Sequence, residues 1–196
     1  MKMNLMSSIW LRAKRSTAAF VADCRAVAAV ELAVIAPLML LMFFATVEFS
    51  SAVATDRKVT LVAHTLADLT SRSTSVTDTD LTNFFAAGTG IMYPYPASQI
   101  NSTISELYVE PTTLVARVQW STGAAPRAAK STMTTPAALK VAGSYLIYSE
   151  VSYTFTPAVP WILQGGITLS DYAYTRPRQS RCVTYSPTLT DCTAPL

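Results

Sequence analysis

The stretch VAAVELAVIAPLMLLMFFATV (Val27–Val47) decides the fold, because its 21 residues carry a single charge, Glu31. At 1.5 Å per residue, a helix of this length covers a hydrocarbon core of about 30 Å. The sequence therefore predicts one membrane span, with a kink at Pro37 because proline removes a helical hydrogen bond. Glu31 needs either a shallow position or a function, since a charge at mid-bilayer depth costs roughly 2.5–3.5 kcal/mol.

The charge on either side of this stretch orients it. Residues 1–26 carry five basic side chains and one acidic side chain, whereas residues 27–196 carry ten and eleven. Basic flanks are retained in the cytoplasm, so we predict a cytoplasmic N-terminus and a chain that emerges on the other side after about Phe49. Nucleic acid is excluded as a partner, because its binders spread basic groups over a folded face.

A chain of 196 residues has room for one membrane element and one domain of ordinary size. We expect a basic cytoplasmic leader (1–26), a transmembrane helix (27–49), a continuation of that helix (50–72) and an α+β domain (73–196). The continuation follows from apolar residues at three- and four-residue spacing, namely Val59, Val62, Leu66 and Leu69, with Asp68 placed to pair with Arg72.

The last of these segments has the pattern of a short helix followed by strands. The helix is predicted at about Asp78–Ala87, with Gly88 as its C-terminal stop. Four antiparallel strands follow, within STISELYVE, LVARVQW, SYLIYSEVSYTFTP and ITLSDYAYTR, and we expect one face of their sheet to pack on the long helix. In LVARVQW, period-2 alternation places Leu114, Ala116, Val118 and Trp120 on one face. Residues 123–138 hold few large apolar side chains and are predicted to form a long exposed loop.

The predicted strands carry five tyrosines that we assign to one tyrosine-rich face: Tyr145, Tyr148, Tyr153, Tyr172 and Tyr174. Such a face is either a binding patch, since tyrosine offers area and a hydroxyl, or the ordinary composition of a sheet.

Two cysteines near the C-terminus lie ten residues apart, beyond the predicted span. On that oxidising side we predict a disulfide between Cys182 and Cys192, with a pair of free thiols as the alternative.

Catalytic and cofactor sites are not indicated. His64 is the only histidine, so zinc ligation of the usual kind, with three or four N or S ligands, is not predicted, and no metal or cofactor is expected. The chain has no G-x-S-x-G turn and no glycine-rich phosphate loop. We therefore predict that the protein is not an enzyme.

Three interpretations of Glu31 remain. In the first, the helix is a plain anchor and the acid lies near the inner interface. In the second, the apolar run is a secretory signal peptide cut after Ala54, since Ala52-Val53-Ala54 has small residues at the required positions. Its basic region would be unusually long, and Glu48 would separate the apolar run from the cut. The third is a pilin-like leader.

The stretch FVADCRAVAAVELAVIAPLMLLMFFATVEF (Phe20–Phe49) resembles the N-terminal signature of TadE-like proteins, the minor pseudopilins of the Tad (tight adherence, Flp) pilus system. In that family a basic leader ends in a small residue and a glutamate stands fifth in the mature chain. The resemblance implies cleavage by a prepilin peptidase between Ala26 and Val27, with Ala26 standing where the family usually has glycine. Glu31 would then be the fifth residue, placed to neutralise the new α-amino group and set the register of assembly.

The same resemblance implies a pilin-like architecture and a structural role in an adhesive pilus. The expected partners are the prepilin peptidase, other pilin and minor pseudopilin subunits, and the Tad inner-membrane assembly platform. The protein would be a single-pass inner-membrane protein with a periplasmic domain, and the resemblance leaves open whether it also enters the fibre. The alternative is an uncleaved single-pass membrane protein whose extracytoplasmic domain binds a partner.

Overall fold

The structure, a computed structural model, describes residues 24–157, 165–186 and 192, and it describes side chains from Val27 onward. The chain divides into two compact units, Met1–Val47 and Glu48–Leu196. The predicted leader lies outside the described residues, apart from the backbone of residues 24–26, which begins the first helix.

Helix α1 runs from Cys24 to Ser71 and contains Pro37 without interruption. In its first part the large apolar side chains are exposed, among them Val34 (70 %) and Phe43 (61 %). An exposed apolar surface of this kind needs a non-aqueous environment or a partner. Within the described residues, α1 is the one helix long and apolar enough to span a membrane.

The second unit holds one further α-helix and all described strands. In chain order these are β1 (Ser75–Val76), α2 (Asp78–Ile91), β2 (Ile100–Val109), β3 (Ala116–Gly123), β4 (Thr132–Met133), β5 (Tyr145–Phe155), β6 (Ile167–Thr175) and β7 (Thr184–Tyr185).

Five of these strands form an antiparallel sheet in the order β4-β3-β2-β5-β6, and β1 pairs separately with β7 in parallel. In the five-stranded sheet, β2 is antiparallel to both of its neighbours, forming a hairpin with β3 and a pairing of distant segments with β5. The predicted α+β class, with a long N-terminal helix followed by an antiparallel sheet, is confirmed.

One face of this sheet, here called the helix face, packs on the C-terminal part of α1 and on α2. Its sheet residues include Ile104, Ile147, Val151 and Tyr153, and α1 contributes Val59, Val62, Ala63, Leu66 and Ala67. All nine side chains are at most 2 % exposed. The predicted apolar stripe of α1 is therefore confirmed at Val59, Val62 and Leu66, whereas Leu69 is half-buried, and burial of this stripe holds the helix to the sheet.

The predicted ion pair on α1 is also present. Arg72 lies 2.6 Å from a carboxylate oxygen of Asp68, and Arg178 approaches the other oxygen to 2.9 Å. Because Arg178 follows β6, the carboxylate connects the end of α1 to a distant part of the chain.

Helix α2 begins as expected and ends later than expected. The Thr77 hydroxyl accepts a hydrogen bond from the Asp80 N–H, and the Asp80 carboxylate accepts one from the Thr77 N–H, which is a capping box. The predicted stop at Gly88 is wrong, because the helix continues to Ile91. A Cβ on Gly88 would lie 3.0 Å from Cγ1 of Val62, so this glycine permits close approach to α1 rather than a helix end.

The predicted single apolar face of β3 is wrong as well. Glu106 pairs with Trp120 and the next residue, Leu107, pairs with Val118, so Gln119 is an extra residue that forms a β-bulge. The bulge turns Trp120 to the helix face, while Ala116 and Val118 lie on the opposite face.

That opposite face, here called the loop face, is covered in part by the segment between β3 and β5. Its core residues are Leu107, Val109, Ala116, Val118, Leu146 and Tyr148. Met133 and Leu139 pack against them, and Thr135 is buried. The prediction of an exposed loop at 123–138 holds for most of its residues, but Met133 packs on the sheet and Thr135 is buried, so this part of the loop is attached to the loop face.

Candidate functional site

The first candidate site is the carboxylate on the apolar part of α1. Glu31 is exposed, and so is Val27 (59 %), one helical turn before it on the same side of the helix. The large side chains around them, including Val30 and Leu32, are exposed and apolar. The Glu31 carboxylate is thus held on a helix surface that offers it apolar neighbours. The side chain of Ala26 lies outside the described part of the structure.

The second candidate is the pair of cysteines. Cys182 and Cys192 are joined in the structure, with Cα atoms 5.6 Å apart, and Cys182 is 1 % exposed. The Tyr145 hydroxyl donates to the Cys192 carbonyl at 3.1 Å. These contacts hold Cys192 beside Tyr145 of β5, and Val183, the residue after Cys182, belongs to the core of the helix face.

A buried carboxyl group that the sequence analysis did not identify lies beside Val183. Glu106 is fully buried on β2, and its Oε1 accepts a hydrogen bond from the Val183 N–H at 2.6 Å. The Val183 carbonyl in turn accepts a hydrogen bond from the Trp120 indole N–H at 2.8 Å. Both backbone groups of Val183, the residue after Cys182, are therefore fixed by side chains of the sheet.

The Glu106 carboxyl group is only half satisfied. Its second oxygen, Oε2, has no hydrogen-bond partner among the described residues. Burial raises the pKa of Glu106 to about 8, and the Val183 amide and the Trp120 indole act in the opposite direction. At neutral pH the group is therefore mainly the neutral acid. The sequence offers one signal for this group, because Glu106 is a charged residue in the middle of the predicted strand STISELYVE. A charged residue within a strand usually indicates an exposed position, so the pattern does not predict its burial.

The predicted tyrosine-rich face is divided between the two sides of the sheet. Tyr153 belongs to the helix face, whereas Tyr148, Tyr172 and Tyr174 form a cluster on the loop face with ring centroids 4.8–5.9 Å apart. This cluster and residues 133–136 line a cleft of about 410 Å³. The Arg127 guanidinium lies 5.2 Å from the centroid of the Tyr148 ring and forms an ion pair with Glu150.

The single histidine is not part of any of these sites. His64 is exposed on α1. Residues 24–157, 165–186 and 192 contain no group of three or more histidine, cysteine, aspartate or glutamate side chains arranged to hold a metal ion.

Comparison with known proteins bears on the first of these sites. A family model described as TadE-like protein matches residues 26–68, which lie wholly within α1. Residues 26–68 are a TadE-like segment. No curated protein and no solved structure matches the chain. The resemblance in the N-terminal sequence is thereby confirmed, and the match implies a role associated with the Tad pilus, whose TadE-like components are structural.

The TadE-like segment has two parts with different surroundings. From Val27 to Val47 its side chains are mostly exposed and apolar, and this part contains Glu31. From Val59 to Ala67 it supplies buried residues to the core under the sheet. The segment thus combines an exposed apolar surface with residues that form part of the core of a folded domain.

Proposed function

We propose that this protein is a minor pseudopilin that contributes structurally to the assembly of a Tad pilus. The observation that carries the proposal is the TadE-like segment at residues 26–68, which begins beside Val27 and includes Glu31. The exposed apolar surface of this segment is suited to a bilayer or to the helices of neighbouring subunits.

The proposed location is the bacterial inner membrane, with the N-terminus in the cytoplasm and residues after Phe49 in the periplasm. The five basic residues before Val27 support this orientation through the positive-inside rule. A periplasmic domain also fits the Cys182–Cys192 disulfide, because disulfides persist in oxidising compartments. The proposed partners are the prepilin peptidase, pilin and other minor pseudopilin subunits, and the Tad assembly platform.

Glu31 has a defined role in this proposal. Cleavage between Ala26 and Val27 leaves a positive α-amino group one helical turn from the Glu31 carboxylate. In a medium of low dielectric constant, the carboxylate neutralises this charge either within its own subunit or on a neighbouring one, and the pairing between subunits favours one axial alignment of the helices. The carboxylate therefore acts as a register device, and Val27 and Ala26 are residues read by the peptidase.

The N-terminus and intact mass of the membrane-bound protein test the processing step. The chain is produced with and without a cognate prepilin peptidase, and the two samples are compared. A start at Val27 only with the peptidase is the expected result. A start at Met1 in both samples contradicts cleavage, and a start at Thr55 would make the protein a secreted one.

A pair of matched variants tests the role of Glu31. Glu31→Gln keeps the shape of the side chain and removes its charge, so we expect normal insertion and folding but loss of co-purification with the other pilin subunits. Asp56→Asn makes the same chemical change at an exposed position of α1 beyond the apolar run and should leave assembly intact. Normal assembly by the Glu31→Gln chain would refute the register role while leaving the processing result unaffected.

The second candidate function is an uncleaved single-pass membrane protein whose extracytoplasmic domain binds a partner. The observation that favours it is Ala26, which stands before the proposed cut where TadE-like proteins usually have glycine. The mass measurement distinguishes the two, because this alternative requires Met1 to be retained when the peptidase is present.

A further inference from the structure

The cleft on the loop face, here called the tyrosine cleft, has no part in the proposed function. It is lined by Tyr148, Tyr172, Tyr174 and residues 133–136. Its volume of about 410 Å³ lies within the range of roughly 300–1,000 Å³ that is usual for small-molecule sites. None of the described residues that line it carries a charged side chain. The cleft therefore suits a neutral ligand.

The floor and the wall of the tyrosine cleft are both attached to the sheet. Tyr148 of β5 and Tyr174 of β6 form a cross-strand pair in the floor. The wall begins at Met133, which pairs with Ala116 of β3 and packs on the core of the loop face. The Tyr174 hydroxyl donates to the Thr134 carbonyl at 3.5 Å, which connects floor and wall. Because the cleft is formed without a ligand, binding does not have to order a loop first.

The three tyrosine rings form one continuous aromatic surface. Their centroids are 4.8–5.9 Å apart and their planes are inclined to one another by 35–74°. Since the rings contact one another, they do not leave the grooves between aromatic side chains in which proline-rich peptides dock. A continuous aromatic surface instead matches the C–H face of a pyranose ring of glucose configuration, whose hydroxyl groups all lie at the rim. Tyr172, at 55 % exposed, is open to such a contact.

A hydroxyl group without a partner belongs to the wall of the cleft. Thr135 is 4 % exposed, and its Oγ1 has no hydrogen-bond partner among the described residues. Leaving a buried hydroxyl unpaired costs about 1–3 kcal/mol, so groups of this kind usually have a partner. Because Thr135 lines the cleft, a sugar hydroxyl bound there can supply the missing partner, either as a donor or as an acceptor.

We propose that the tyrosine cleft binds a neutral saccharide of glucose configuration, with the C–H face of one sugar ring on the tyrosine rings and a sugar hydroxyl bonded to Thr135. Three observations define this ligand class: the uncharged lining, the continuous aromatic surface and the unpaired hydroxyl. Three of the five tyrosines that the sequence assigned to one face thereby belong to a binding surface. The inference concerns the domain alone and does not depend on a role in a pilus.

Saturation-transfer difference NMR of the full chain tests this binding. The chain is kept in lauryldimethylamine oxide, a detergent without a sugar headgroup, and is titrated with cellotriose or with tri-N-acetylchitotriose. Tyr172→Leu removes the most exposed ring of the cleft. Tyr93→Leu is the matched control, since Tyr93 is also exposed (80 %) and lies outside the sheet. Thr135→Val keeps the shape of the side chain and removes its hydroxyl.

The wild-type and Tyr93→Leu chains should bind at least one of the two trisaccharides with equal dissociation constants, which salt leaves unchanged because the ligand is neutral. Tyr172→Leu and Thr135→Val should each raise the dissociation constant several-fold, and the midpoint of urea unfolding confirms that each variant is folded. Failure of both trisaccharides to bind, or binding that either substitution leaves unchanged, would overturn the proposal. Binding of a proline-rich peptide at the cleft in place of the trisaccharides would also overturn it.

Discussion

Replacement of Glu106 by glutamine should remove a strong pH dependence from the stability of the domain. In the folded protein the pKa of Glu106 is raised to about 8 by burial, against 4.5 for the free side chain. Between these values the folded state binds more protons than the unfolded state, so the free energy of unfolding falls as the pH rises. Stability from this group is complete below about pH 4.5 and is lost by about pH 8.

The size of this effect follows from the two pKa values. At about 1.4 kcal/mol for each pH unit, the difference between 4.5 and about 8 corresponds to at most about 5 kcal/mol. Glutamine retains an oxygen that can accept the hydrogen bond from the Val183 N–H, but it has no proton to lose in this range. The NH2 of its amide adds a penalty of about 1–3 kcal/mol where it is unpaired, and this penalty does not change with pH.

The assay is urea unfolding of the detergent-solubilised full chain at a series of pH values from 4 to 9, followed by near-ultraviolet circular dichroism. The wild-type chain should lose stability steadily as the pH rises, whereas the Glu106→Gln chain should show a much flatter profile and become the more stable one at high pH. Asp56→Asn, which changes an exposed carboxylate, should follow the wild type. A Glu106→Gln chain with the wild-type slope would refute the assignment of a neutral buried acid.

Three further predictions concern α2 and are tested by the same unfolding measurement unless stated. Gly88→Leu should destabilise the domain because the new side chain must enter the contact with α1. Gly90→Ala is the matched control, with no atom within 4 Å of the new Cβ, and should stabilise the domain by about 0.5–1 kcal/mol. Equal effects at the two sites would contradict the close-packing role of Gly88. Thr77→Ala removes the capping hydroxyl and should cost about 1 kcal/mol, and no loss would show that the capping box contributes nothing measurable. Lys58→Met removes the Nζ donor to the carbonyl of Ile91 at the end of α2, so hydrogen exchange of the last turn should accelerate, while exchange of its first turn should not.

The regular features of the fold could be predicted from the sequence because they depend on local periodicity. The apolar run predicted α1, its three- and four-residue spacing predicted the buried stripe from Val59 onward, and alternation located the four long strands. The Asp68–Arg72 pair followed from helix geometry alone. Each of these depends on residues that are close in the sequence.

The errors arise where residues distant in sequence decide the structure. Gly88 has the composition of a helix stop, but Val62 of another helix determines its role. Trp120 changes face because Gln119 forms a bulge against β2, which no pattern within LVARVQW reveals. Glu106 was overlooked for the same reason, since its burial depends on Val183, 77 residues later. In the candidate site, the sequence identified Glu31 through the resemblance and missed the buried acid.

The pairing of β1 with β7 has a consequence for the timing of folding during synthesis. Thr184 donates its backbone N–H to the carbonyl of Thr74, 110 residues earlier, and Val183 completes the core without any exposed surface. At translation rates of 5–20 residues per second, roughly 5–20 s separate the emergence of these partners. Throughout this interval the core that buries the apolar stripe of α1 is incomplete, because Val183 has not yet been added to it. The nascent chain therefore exposes part of this stripe until β7 is made.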